Sequence, residues 1–185
     1  MIRKLSKSFI SFICEDKYSN TEKEEMNYIL ITIIFELIKA IFLLILFNFI
    51  GYFKETLFII LMLFSIKPFI GGYHENNQFL CFFASLLEIG TILFLSSSNF
   101  ISYYSNVILI LISIFTIYHK APIINPKMII TREEIIKKNR FIGISASIIY
   151  GSISIFTYNG NIYSKIITWT LLMLSQLMFN KRNMK

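Results

Sequence analysis

Charge is scarce in this sequence. Asp, Glu, Lys and Arg make up only 16% of its 185 residues and 55% are hydrophobic, whereas soluble domains carry about 25% charged residues. Such a chain cannot cover its core with polar surface, which excludes an ordinary water-soluble globule and points to helices that cross or enter a bilayer. Cysteine is rarer still, with Cys14 and Cys81 alone. The charge pattern below sets both on the cytoplasmic side, where thiols stay reduced, so no structural disulfide is expected. Three prolines and seven glycines leave no Pro/Gly/Ser-rich linker, and no internal repeat divides the chain. Residues 1–185 therefore read as a single polytopic membrane domain. The net charge of +7 could suggest nucleic acid, but the cations sit in short segments between apolar runs, so nucleic acid is not an expected partner. No phosphate loop with the Walker lysine spacing occurs, and His74-Glu75 does not extend to a His-Glu-x-x-His motif, His119 being the other histidine. Neither a metal nor any cofactor is expected. The basic N-terminus is followed by Glu15, Asp16 and a polar run without a small-residue cleavage site, so no removable signal peptide is expected.

What the chain does have is apolar runs. Residues 28–50 exceed the length of about 20 that spans hydrocarbon and form the clearest spanning helix. Within it, Glu36 and Lys39 lie three positions apart, so they can pair on one face and lower the cost of burying either charge. Residues 57–66 make only about 15 Å of helix, half a hydrocarbon core, before Lys67 and Pro68 interrupt them. That run enters partway, or spans with help from the segment after Pro68. Residues 79–97, which include Glu88, and residues 104–118 are further spans, and 141–157 and 162–179 supply the last two. Residues 1–14 place Ile2, Leu5, Phe9, Phe12 and Ile13 at helical spacing among Arg3, Lys4, Lys7, Ser8 and Ser11. This is the pattern of an amphipathic helix lying on an anionic membrane surface, or of a short helix packing on the bundle. In the longest polar connection, 119–140, Thr131 and Glu134 have the spacing of a capping box, which should start a short helix. The expected fold class is an all-α integral membrane protein of about six hydrophobic helices. One of them is short or partly re-entrant, and an amphipathic helix precedes them all.

Orientation follows from Lys and Arg, which are retained on the cytoplasmic side during insertion. Arg3, Lys4, Lys7, Lys17 and Lys23 hold the N-terminus inside, and Lys181, Arg182 and Lys185 hold the C-terminus there. Lys120, Lys127, Arg132, Lys137, Lys138 and Arg140 make 119–140 a basic cytoplasmic loop. Residues 98–106 have no positive charge and 159–164 have none either, so both face outward. Six crossings satisfy all of these assignments and set residues 67–78 at the cytoplasmic boundary.

That boundary segment mixes a breaker, two glycines, a histidine and a thiol where apolar residues would be cheaper. A thiol attacks as thiolate, and an imidazole can take its proton and later protonate a leaving amine, so His74 and Cys81 are the natural catalytic pair. A buried cysteine serving as a small hydrophobe and a solvated histidine are the bland alternatives. On an unbroken helix the seven positions between them would separate the pair by about 10.5 Å, beyond hydrogen-bond reach. Asn76 and Asn77 favour caps and turns, so a new helix can start near Gln78 with Cys81 in its first turn. There, unpaired amide hydrogens and the helix dipole favour the thiolate. Gly71 and Gly72 either let a substrate strand approach or make an ordinary turn.

Lys67, Gly71-Gly72-Tyr73-His74 and Cys81 together resemble the catalytic signature of the accessory gene regulator B (AgrB) family, membrane endopeptidases of bacterial quorum sensing. Ala121-Pro122, Asn125-Pro126-Lys127 and the charged run 132–140 are similar to that family's cytoplasmic loop after its fourth hydrophobic segment. Length and span order match as well, so the resemblance covers nearly the whole chain. It departs at Lys67, where the family commonly has arginine; the charge is kept and the bidentate fork is lost. The resemblance implies a thiol protease of the bacterial cell membrane whose partner is an AgrD-like precursor. That precursor would carry a membrane-binding leader, a signal segment and an acidic tail. Cys81 would cleave off the tail and hold the signal as a thioester until an internal thiol or hydroxyl closes a thiolactone or lactone, with His74 as base and then acid. Lys67, Gly71 and Gly72 would support this chemistry. Glu75, Gln78 and Glu88 are candidates for orienting His74 or stabilising an oxyanion. Lys127, Arg132, Lys137, Lys138 and Arg140 would receive the acidic tail, or serve topology alone. Ring size and action as a homodimer stay open. The competing class is a nonenzymatic transporter or immunity-type scaffold, with Glu36, Lys39 and Glu88 lining a path.

Overall fold

The computed structural model describes residues 20–71, 78–98, 101–123 and 133–179. They form six helices: α1 (Asn20–Phe49), α2 (Phe53–Ile70), α3 (Gln78–Ser97), α4 (Tyr103–Lys120), α5 (Glu133–Phe156) and α6 (Ile162–Leu177). Among the described residues no strand occurs, only an isolated parallel bridge between Gly71 and Ile123. The chain is all-α. Two compact units result, one ending at Leu46 and the other starting at Phe47. The amphipathic helix expected at 1–14 lies outside the described residues.

In the first unit, the expected pair forms within α1, with Lys39 Nζ 2.6 Å from Glu36 Oε2. Ile33, Leu37, Ile38, Ile41, Phe42 and Ile45 on this helix are exposed. On α3, Phe79, Leu80, Phe83, Leu87 and Phe94 are exposed in the same way. Among the described residues, Ile29–Phe49 and Phe79–Ser97 are the stretches long and apolar enough to cross a membrane. Surfaces of this kind would drive aggregation in water, whereas acyl chains solvate them.

The second unit is built around α6, which packs against α2, α3, α4 and α5. Its central position explains why Ser164, Lys165, Ile166, Ile167, Thr168, Thr170, Leu171, Leu174 and Ser175 are all buried. Met62, Ile66 and Ile70 of α2 meet Ile117 and Ala121 at the end of α4 and Ile167, Leu171, Leu174 and Met178 along α6. In lipid, where transfer from water no longer drives association, helices gain from close van der Waals approach. A stripe on α5 supplies it: Gly143, Ser147, Gly151 and Ser154 are buried at spacings of four, four and three. A Cβ on Gly143 would collide with the Ile70 side chain, and one on Gly151 with Ile110.

Helices α3, α4 and α6 match the apolar runs to within two or three residues. Helix α2 does not stop at Lys67. It continues through Pro68 to Ile70, 18 residues in all, about 27 Å, so it has the length of a run that spans with help from beyond the proline. Proline so near a C-terminus forfeits one hydrogen bond while its fixed φ still suits a helix. The short helix expected after Thr131 is likewise no separate element, for α5 runs unbroken from Glu133 to Phe156 over 24 residues. No proline interrupts it, and its charged first two turns simply project from the apolar part. Thr131 itself lies outside the described residues.

Candidate functional site

Helices α2 and α4 end, and α3 and α5 begin, at one end of the second unit, and this end gathers the residues singled out from the sequence. Ile70 is fully buried, which fixes the last turn of α2. Gly71 then caps that helix at φ 72°, its N–H donating to the Lys67 carbonyl. From Gly71 the backbone lies against Ile123, whose N–H donates to the Ile70 carbonyl at 2.9 Å. A Cβ on Gly71 would strike the Ile123 carbonyl. The strand that approaches Gly71 is thus the chain's own, following the cis Ala121–Pro122 bond. This bridge ties the start of the His74 segment to the start of the basic loop, the two stretches that carried the family resemblance. His74, Gly72 and Glu75 lie outside the described residues.

Helix α3 is described from Gln78, with Cys81 three residues further on; the turn expected at Asn76-Asn77 lies outside the described residues. The thiol is half-buried and is not in a disulfide. Cys81, Ser85, Glu88 and Ile92 follow one another at spacings of four, three and four, hence along one face of α3. Ser85 and Ile92 on that stripe are buried, so the face of Cys81 looks into protein, while Phe83 and Leu87 look away.

Opposite this face stands Lys67 of α2, whose Nζ is 3.5 Å from Glu88 Oε2. The two charges were separate candidates; the fold makes them a cross-helix pair, with side chains 21% and 11% exposed. Sequence spacing could not pair them, because they lie on different helices across a chain reversal. Pairing lowers the cost of placing either charge at this depth. It is incomplete, however. Glu88 Oε1 is buried and has no hydrogen-bond partner among the described residues. The other such atoms are Thr56 Oγ1, Ser96 Oγ, Trp169 Nε1 and Thr170 Oγ1, all on neutral side chains. Leaving a charged acceptor unpaired costs more than leaving a hydroxyl.

The basic candidates divide. Arg140 donates from Nη2 to the Tyr118 carbonyl at 3.0 Å and lies over the Tyr118 ring, 5.6 Å from its centroid to the guanidinium carbon. It thereby satisfies a carbonyl of the last turn of α4. Lys137 sits 3.8 Å from Glu133 one turn away, both more than three-quarters exposed, and Lys138 is exposed as well. Lys127 and Arg132 lie outside the described residues. Among the described residues no group of three His, Cys, Asp or Glu is placed to hold a metal ion.

The family model described as Accessory gene regulator B matches residues 5–178. AgrB-like protein 1 of Clostridium perfringens (strain 13 / Type A), a name that claims likeness alone, is 41% identical over 181 residues, 97% of each chain. No solved structure matches the chain.

Proposed function

The chain belongs to the accessory gene regulator B family of membrane proteins, known for processing autoinducer precursors, and from that premise we propose that it is a cysteine endopeptidase and cyclising acyl transferase acting on an AgrD-like precursor. The observation that carries this reading is the position of Cys81 in the first turn of α3, on a face turned into protein and downstream of Gly72-Tyr73-His74. Cys81 Sγ attacks the carbonyl that ends the signal segment while His74 takes the thiol proton. Collapse of the tetrahedral intermediate breaks the C–N bond, and His74 returns the proton to the departing amine, so the tail leaves as a free peptide. An internal thiol or hydroxyl of the retained segment then attacks the Cys81 thioester, releasing the Cys81 thiol and closing a thiolactone or lactone. Where a thiol closes the ring, one thioester replaces another, a nearly balanced exchange that transfer from a serine ester would not be. Burial beside the bilayer keeps water from the thioester.

Replacing Cys81 or His74 by alanine should abolish cleavage while precursor binding persists, since each removes a necessary part of one reaction unit. Mass spectrometry of the precursor after incubation with membranes carrying each variant measures this. Cleavage at the same bond by the Cys81→Ala protein would reject the cysteine mechanism, whereas a wild-type protein that cleaves no precursor would favour a nonenzymatic transporter or scaffold.

The same reading sets the Cys81 end and both termini at the cytoplasmic face, supported by the excess of Lys and Arg there. Ser105, exposed in the first turn of α4, is then extracellular. A cysteine introduced at Ser105 should react with an impermeant maleimide in intact cells, and its protection until lysis would invert the topology.

A further inference from the structure

The unpaired oxygen of Glu88 calls for a donor, and the geometry of α3 limits which donor can reach it. Cys81 and Glu88 lie on one face, seven positions and about 10.5 Å apart along the axis. An extended peptide advances about 3.4 Å per residue. A substrate strand with its scissile carbonyl at Cys81 therefore brings the backbone N–H of its third residue, counted back from that carbonyl, level with Glu88. On the endopeptidase reading the retained acyl segment takes this path, with the acidic tail leaving on the side of Lys137 and Lys138. Lys67 Nζ pairs with Oε2 at 3.5 Å, while Oε1 is buried without a partner among the described residues, so a strand seated there would supply the donor it lacks.

We propose that Glu88 is a substrate-binding residue whose Oε1 accepts the backbone N–H of the third acyl-side residue, with Lys67 as the positioning residue that aims it. The inference rests on the endopeptidase reading. It assigns the Lys67–Glu88 pair a task that a purely structural ion pair would not have: setting the register of the peptide so that one carbonyl alone meets Cys81.

Amide-to-ester replacement tests this, because it deletes one N–H and leaves the side chains unchanged. The probe is the cognate precursor made by total synthesis, with the ester placed in turn at the second, third and fourth acyl-side residues. Full-length protein in liposomes supplies the activity. The wild type should lose about tenfold or more in kcat/KM with the third-position ester, and far less with the other two. Glu88→Gln should lose a similar factor on the normal precursor, since its amide oxygen turns to Lys67 and leaves an NH2 facing the substrate N–H. On the third-position ester the same variant should lose little further. Equal losses for wild type and Glu88→Gln would overturn the contact. So would full recovery of processing by the exchanged pair Lys67→Glu/Glu88→Lys, which restores an ion pair but moves the carboxylate to α2. A wild-type protein that cleaves no precursor removes the endopeptidase reading itself, and this inference with it. Normal cleavage insensitive to the third ester removes this inference alone.

Discussion

The two ends of the second unit bury different polar groups: at one, hydroxyls and an amide that mostly bond to one another, although Thr56 Oγ1 and Ser96 Oγ there have no partner among the described residues; at the other, a carboxylate and a thiol. Where α4 and α6 begin and α5 finishes, Asn106, Ser154, Ser164 and Thr168 are fully buried and saturate one another. Asn106 donates to Ser154 Oγ at 3.3 Å, Thr168 Oγ1 donates to Asn106 Oδ1 at 2.6 Å, and Ser164 Oγ donates to the Ser154 carbonyl at 2.8 Å. Tyr158 adds a tie to the Ile101 carbonyl. At the other end, a half-buried thiol shares a helix face with a carboxylate that has one oxygen paired and one not. A closed network locks three helices in register. A buried carboxylate oxygen without a donor still has a bond to make. On the proposed function, this end would meet the substrate while the other holds the helices together.

The largest effect that should sharpen this contrast is at Gly71, where the reactive end is anchored. Alanine there must adopt φ 72° in a region that tolerates only glycine and must also push Ile123 away, an expected cost of about 3 kcal/mol or more. Processing should fall severalfold more than the amount of protein inserted in the membrane does. Normal processing by Gly71→Ala would mean that the bridge to Ile123 does not hold the catalytic segment.

A smaller effect, of a different kind, is expected at the closed end. Ser154→Ala removes the hub of the network and strands the Asn106 amide, costing about 1–3 kcal/mol. The melting temperature of detergent-solubilised protein should drop, while turnover per folded molecule stays unchanged. A rate defect without a thermal shift would break the division between the two ends.

The sequence made the closed end harder to read than the reactive one. Apolar length alone located α3, α4 and α6, because lipid demands long uninterrupted runs. Boundaries failed where the signal was a breaker or a charge: Pro68 in a last turn costs α2 one bond, and Glu133–Arg140 extends α5 because helices need not stop at the membrane surface. The network residues are ordinary serines, threonines and an asparagine whose partners come from three helices, and no spacing rule joins them. The stripe of Gly143, Ser147, Gly151 and Ser154 did leave a trace, small residues about every fourth position, the mark of close helix approach in membranes. At the Cys81 end, the helix described from Gln78 agrees with the apolar run expected from residue 79, while the turn expected at Asn76-Asn77 lies outside the described residues. For Gly71 the turn-or-substrate alternative needed Ile123, fifty-two positions later, before the neighbouring strand could be identified as the chain's own.

The smallest effect concerns the cations beside the reactive end. Lys137 and Lys138 project from the first turns of α5, exposed, and Glu133 offers Lys137 only a loose solvent-screened contact at 3.8 Å. Surface pairs of this kind contribute about 0–1 kcal/mol, so reversing both lysines to glutamate should leave stability nearly untouched. Arg140 differs, since its guanidinium is engaged by the Tyr118 carbonyl; replacing it would confound docking with the end of α4. If the acidic tail of the precursor approaches this face, the Lys137→Glu/Lys138→Glu protein should bind it more weakly, raising KM severalfold at low salt with kcat unchanged. The difference should shrink as salt rises, because exposed charges are screened beyond about 8–10 Å at physiological ionic strength. Reversing acids in the tail to lysine should restore binding to the double variant. A KM unchanged at low salt, in protein that inserts normally, would leave these lysines with topology as their role and confine recognition to the face shared by Cys81 and Glu88.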